Sequence, residues 1–117
     1  MRRIAALALL CALAAAPAAG ADGRGAPRRV VSLNPCLDAI LLDVADPSQI
    51  AALSRYSREP GQSAVWARAR RYPAVSGAAE EIVALRPDLV LISGMGASAL
   101  TGVLPRLGIT AANFGVP

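Results

Sequence analysis

Gly94-Met95-Gly96-Ala97-Ser98-Ala99 has the G-x-G-x-x-[GA] spacing that lets a backbone approach a dinucleotide pyrophosphate at a helix N-terminus. That chemistry also needs an Asp or Glu about 20 residues further on to hold the ribose, and no acid follows Asp88. The glycines are therefore expected to turn the backbone sharply beside a cleft. Cys36 lies near an expected helix start, where a thiol can be activated. The sequence has no histidine to serve as its base, so Cys36 is expected to be a small buried residue in the first turn. Lysine is absent too, all 12 basic residues being arginine. The usual general base, Schiff-base amine and imidazole metal ligand are thus missing, and no catalytic set, metal or cofactor is expected. Glu80 and Glu81 are adjacent, diverge by roughly 100° on a helix and cannot face each other as a catalytic carboxylate pair.

Binding is better supplied. Open parallel sheets place ligands beyond the carboxyl ends of their strands. Those ends are expected at Asn34-Pro35, at Ser54-Arg55-Tyr56-Ser57 and at Ser93-Gly94-Met95. Asn34, Pro35, Tyr56, Ser57, Gly94 and Met95 are accordingly the candidate ligand-binding residues. Arg55 and Arg58 stand ready for ligand carboxylates or for solvent.

The N-terminus reads as a secretory signal peptide over 1–21: Met1-Arg2-Arg3, an uncharged apolar run from Ile4 to Ala16, and Ala19-Gly20-Ala21 before a cut ahead of Asp22. The run is too short for a membrane span, which needs roughly 20 apolar residues. Cleavage ahead of Asp22 removes Cys11 and two of the 12 arginines, leaving ten arginines against eight acids and one cysteine, Cys36. No internal disulfide is then possible, and the arginines lack the interleaved aromatics of a nucleic-acid platform. A periplasmic monomer is expected.

Residues 22–27 form a Gly/Ala/Pro spacer, and 28–117 form a single lobe. Val30 to Leu33 reads as a first strand. Asn34 is a natural N-cap and Pro35 a natural first helical residue, opening a helix with Leu37, Ile40, Leu41 and Val44 along its inner side. A second strand runs from Gln49 to Leu53, followed by a polar loop from Ser54 to Gly61 and a helix from Ser63 to Arg71. A short helix opened by Glu80-Glu81 stops at Pro87, and the apolar run Leu89 to Ile92 needs cover on both faces. Gly77 and Glu80 read as half a capping box for that short helix. Ser98 caps a further helix to about Leu107, and Ile109 to Phe114 is a last strand. The fold class is α/β, an open parallel sheet of about four strands with right-handed crossover helices.

The phrase Ala84-Leu85-Arg86-Pro87-Asp88-Leu89-Val90-Leu91, with Gly77 and the acidic helix start before it, resembles the N-terminal lobe of the periplasmic substrate-binding proteins of ABC importers. Those proteins carry cobalamin, ferric siderophores or haem. The resemblance spans about Pro27 to the end and implies half of a two-lobed protein, the chain stopping where such a protein would still be finishing its first lobe. It implies capture of a metal chelate or corrinoid and delivery to a membrane permease, without chemistry. Tyr56 falls where cobalamin binders carry a cleft tyrosine, and Glu80 resembles the glutamate those proteins present to permease arginines. The sequence departs from the pattern at Asn34-Pro35 in place of Ser-Pro and at Asp38-Ala39 in place of Thr-Glu. Two other readings remain open: a small secreted α/β enzyme using the Gly94 loop, and a truncated product that binds nothing.

Overall fold

A computed structural model describes residues 25–94 and 97–115. The proposed signal peptide, Met95 and Gly96 lie outside the described residues. Five parallel strands, β1 (Val30–Ser32), β2 (Ile50–Ser54), β3 (Ala74–Val75), β4 (Leu89–Ile92) and β5 (Thr110–Asn113), form one sheet in the order β3-β2-β1-β4-β5. Four helices intervene: α1 (Pro35–Val44), α2 (Trp66–Ala69), α3 (Ala79–Ala84) and α4 (Ala97–Val103). The sheet exceeds the expected four strands by β3, a two-residue edge strand paired through Leu53 with Ala74 and Ser54 with Val75.

The strands feed two cores, as a sheet covered on both faces requires, alternating in β1 and β4 while β2 sends its adjacent Ala51 and Ala52 to the same side. Val30, Ile50 and Leu53 pack with Leu41 and Ala69 from α1 and α2. Val31, Val75, Val90 and Ile92 pack with Ile82 of α3, Leu104 and Ile109. The chain steps outward from β1 to β3 with helices on one face, then crosses to β4 and β5 with helices on the other. Crossovers of a single hand demand that change of face when the direction of winding reverses. The reversal lies between β1 and β4, which pair directly through Val30–Leu89, Val31–Val90 and Ser32–Leu91.

The Arg-Pro-Asp phrase has a physical account. Arg86 takes a left-handed φ of 48° as α3 ends, and Pro87 cannot continue a helix. Asp88 then accepts hydrogen bonds from the backbone N–H groups of Arg28 at 2.7 Å and Arg29 at 2.9 Å, pinning the entry of β1 to that of β4. Slight burial pushes the Asp88 carboxyl up, but those N–H donors outweigh it and hold the carboxyl below the usual range. The Arg29 guanidinium donates twice to the carbonyl of Leu85, at 2.9 and 2.8 Å, closing the end of α3.

Three expectations change at the helices. α1 turns Asp38, Leu41, Leu42 and Ala45 toward the sheet, a helical i, i+3, i+4, i+7 face, while Ile40 is 58% exposed and Val44 76% exposed. Cys36 lies on the outer side and is exposed, contrary to the buried position expected of it. The helix expected from Ser63 to Arg71 contracts to Trp66–Ala69, with Ala69 buried, and the loop expected after β2 contains a 3-10 turn at Arg55–Arg58.

Candidate binding site

All five strands deliver their carboxyl ends to one edge of the sheet. Beyond β1, the Asn34 side chain accepts from Cys36 N–H at 2.8 Å and Leu37 N–H at 3.4 Å, and Pro35 occupies the first helical position. Asn34 is thus a cap whose carboxamide nitrogen makes no hydrogen bond within the described residues. Beyond β4, Ser93 donates to the Phe114 carbonyl at 3.2 Å, and Gly94 adopts a φ of 97° with open space where a Cβ would stand. Glycine is needed there for its conformation and not for close packing. Asn34 and Gly94 therefore flank the point where the winding reverses, the crevice that open α/β sheets use for ligands. Met95 lies outside the described residues.

Beyond β2, the Ser54 hydroxyl accepts from Tyr56 N–H at 3.3 Å and starts the 3-10 turn. Tyr56 is 43% exposed; the Arg55 guanidinium lies 4.9 Å from its ring centroid and donates to its phenolic oxygen at 2.9 Å. That hydrogen bond raises the pKa of Arg55, aided by the Glu81 carboxylate. An aromatic face and a fixed cation are thus presented together at the rim. Ser57 is fully buried with its hydroxyl on Asp38, so it anchors the turn and does not face a ligand. Arg58 is half-buried in the same turn.

A shallow cavity of about 190 Å³ opens beside this rim, lined by Pro35, Cys36, Ala39 and the segment 62–65. Its far wall leads into α2, which places Trp66 at the same end of the sheet. A larger hollow of about 550 Å³ lies at the opposite edge, bounded by Gly25, Pro27, Pro87, Asp88 and Gly108. It sits at the amino ends of β1, β4 and β5, and its one carboxylate among the described residues, Asp88, is already occupied by two backbone donors. Strand polarity therefore favours the smaller cavity.

Beyond β3, Glu81 accepts from Ser76 N–H at 2.8 Å and Ser76 Oγ at 2.7 Å, and these bonds lower its pKa. α3 starts after Ala78, which supplies no side-chain cap. Glu81, bonding back to Ser76, takes the role that Gly77 and Glu80 were expected to share. Glu80 is exposed and has no hydrogen bond or ion pair among the described residues. Sequence reasoning missed the buried Asp38 and the wall at 62–65. The signal for Asp38 was its position four residues after the cap Asn34, one turn into the helix.

No family model and no curated protein matches the chain. Solved structures do. A periplasmic haem-binding protein from Pseudomonas aeruginosa aligns at 24% identity with a TM-score of 0.60, over 77% of this chain and 32% of its own. The periplasmic vitamin B12-binding protein BtuF of Vibrio cholerae aligns at 27% identity and 0.56, over 74% and 34%. The periplasmic haem-binding protein BhuT, solved with two haems, aligns at 25% identity and 0.54, over 79% and 35%. The chain thus spans about a third of the length of each and shares the fold of their N-terminal part.

Proposed function

We propose that the chain is the N-terminal lobe of a substrate-binding protein that captures a metal chelate or corrinoid (haem, an iron siderophore or cobalamin) in the periplasm. It hands this ligand to an ABC permease and performs no chemistry itself. The observation that carries the reading is the shared fold with periplasmic haem- and B12-binding proteins. The rim supports it: Tyr56 with Arg55 offers an aromatic face beside a cation, suited to a flat anionic chelate or to a corrin with amide arms. Delivery follows export, with cleavage before Asp22. The exported protein should have the intact mass of a chain starting at Asp22, and retention of Met1 through Ala21 in a membrane fraction would withdraw the periplasmic assignment.

Binding is read from Trp66, the single tryptophan. Haemin, a ferric siderophore or cyanocobalamin bound at the rim absorbs across the indole emission, so one class should quench it saturably after correction against free tryptophan. Tyr56→Ala should weaken that ligand roughly three- to tenfold, the scale of one aromatic contact. If none of the three classes quenches saturably, the binding reading is wrong. If quenching is unchanged in Tyr56→Ala, Tyr56 has no ligand role.

A further inference from the structure

The hollow of about 550 Å³ at the amino ends of β1, β4 and β5 is as large as many ligand clefts, which run from about 300 to 1,000 Å³. It is no part of the rim, which lies at the other end of every strand. Pairing of Val30 with Leu89 and of Leu89 with Thr110 sets the chain entering the three strands in adjacent rows, so its walls are Gly25 and Pro27, then Pro87 and Asp88, then Gly108 and Thr110. An arginine adjoins each wall. Arg28 follows Pro27, Arg86 precedes Pro87, and Arg106 lies in the 3-10 turn Leu104–Leu107 that leads into Gly108. All three are exposed, and their guanidinium groups make no hydrogen bond or ion pair among the described residues. Arg29 adds a fourth positive charge, tied to the Leu85 carbonyl next to Arg86. Against them stands Asp88, each of whose oxygens is held by a backbone N–H. The next carboxylate along this edge, Asp46 before β2, is committed to Ser48 N–H at 2.9 Å and Ser48 Oγ at 2.7 Å. The carboxyl end differs, Arg55 and Arg58 there being matched by Glu59, Glu80 and Glu81. A concave surface of one dominant sign focuses its field on an ion of the other.

The backbone singles out one of these arginines. Arg86 is the one non-glycine residue with a positive φ among the described residues, a conformation that suits glycine and disfavours a long side chain. Solvation gives no reason to hold an unpaired arginine in it. We propose that the hollow is a second binding site, taking the multiply charged phosphate group of an anionic ligand, with Arg86, Arg106 and Arg28 as its donors. A planar guanidinium meets phosphate oxygens two at a time, and a dianionic group answers this surplus of positive charge better than a single carboxylate does. Thr110 adds an exposed hydroxyl with no hydrogen bond among the described residues. Gly108, at a φ of 77° with nothing within 4 Å of where a Cβ would stand, leaves the approach open. The proposal rests on neither Tyr56 nor the fold comparisons.

Pyrophosphate is the probe, titrated against sodium chloride of equal ionic strength. The melting temperature of the chain should rise saturably with pyrophosphate, by about 4–8 °C at roughly five times the Kd, and chloride should give no such rise. Arg86→Gly should melt at or above the wild-type temperature without pyrophosphate, because its φ of 48° is glycine's own region, and should lose most of the pyrophosphate shift. Arg106→Ala should lose it likewise. Arg71→Ala is the control: it removes another exposed, unpaired arginine from the same edge, before β3 and two strands from β1, and should keep the shift.

Absence of a saturable shift overturns the site and leaves the arginines as solvated surface charges. So does a full shift in both Arg86→Gly and Arg106→Ala, and so do equal losses in all three variants, which would mean diffuse attraction to a cationic edge. Soluble phosphates and phospholipid headgroups carry the same group, and vesicles of phosphatidylglycerol separate them. Sedimentation of the chain with the vesicles, reversed by pyrophosphate, assigns the site to a lipid headgroup, whereas a pyrophosphate shift without sedimentation assigns it to a soluble ligand. None of these readings uses a chelate, so failure of haemin or cobalamin to quench Trp66 would sink the proposed function and leave this site standing.

Discussion

Ile82→Ala should lower the free energy of unfolding by about 2–5 kcal/mol, the range for truncating a fully buried aliphatic side chain that leaves a cavity. Ile82 has no accessible surface and is the one buried residue of α3. It meets Val75, Val90 and Leu104 in the larger of the two cores. The helix has little else to hold it: six residues are too few for independent helicity, and its N-cap contributes no side-chain bond. A small domain has only about 5–15 kcal/mol in total, so this one truncation removes a large share. Val83→Ala is the control, because its side chain is on the next, exposed position of the same helix and should change stability by within about 0.5 kcal/mol. Urea unfolding of both variants decides it. Equal losses would mean that Ile82 does not anchor α3 to the sheet.

The same contrast between doubly covered and local features explains how much of this fold was legible in the sequence. Val30-Val31 and Leu89 to Ile92 could be read as strands because a sheet buried on both faces imposes an unbroken apolar run, and their short length, β-branched residues and the Pro-Asp break before Leu89 separate them from a buried helix. The Pro-Asp break before β4 was legible because proline ends a helix wherever it stands. β3 was not, since two residues on a sheet edge carry no periodicity. The inner face of α1 was misread for a different reason. Leu37, Ile40, Leu41 and Val44 make a plausible apolar stripe, but burial of Asp38 rotates the helix so that Leu41, Leu42 and Ala45 accompany it inward. Asp38's partners stand 16 and 19 residues further along, at Ser54 and Ser57, and no local pattern announces them. Cys36, Ile40 and Val44 face outward as a direct consequence. At the site, strand ends could be located because they follow from strand order, so Asn34, Tyr56 and Gly94 fall on one edge. Ser57 was placed one residue from Tyr56 but on the opposite side of the turn, which a loop reading cannot resolve.

Glu80→Arg should abolish ligand-stimulated transport while leaving ligand affinity intact, if Glu80 is the acid that the binding protein presents to arginines of its permease. The capping explanation for this residue has weakened. Glu81 makes the bonds to Ser76 that tie the start of α3 to the end of β3, and Glu80 stands exposed without a hydrogen bond or ion pair among the described residues. What remains to it within the fold is the attraction of a first-turn acid to the helix dipole, worth about 0.3–1 kcal/mol and screened by salt. Charge reversal across a contact has a different scale: opposed like charges cost several kcal/mol and slow encounter as well. The two roles therefore separate cleanly when transport by the binding protein with its permease is measured beside melting temperature and ligand affinity. Loss of transport with affinity unchanged places Glu80 at the contact, and restoration by an acidic substitution on the permease side would identify its partner. If transport survives and only the melting temperature falls, Glu80 serves the helix alone, and the docking surface of this lobe must be sought on another face.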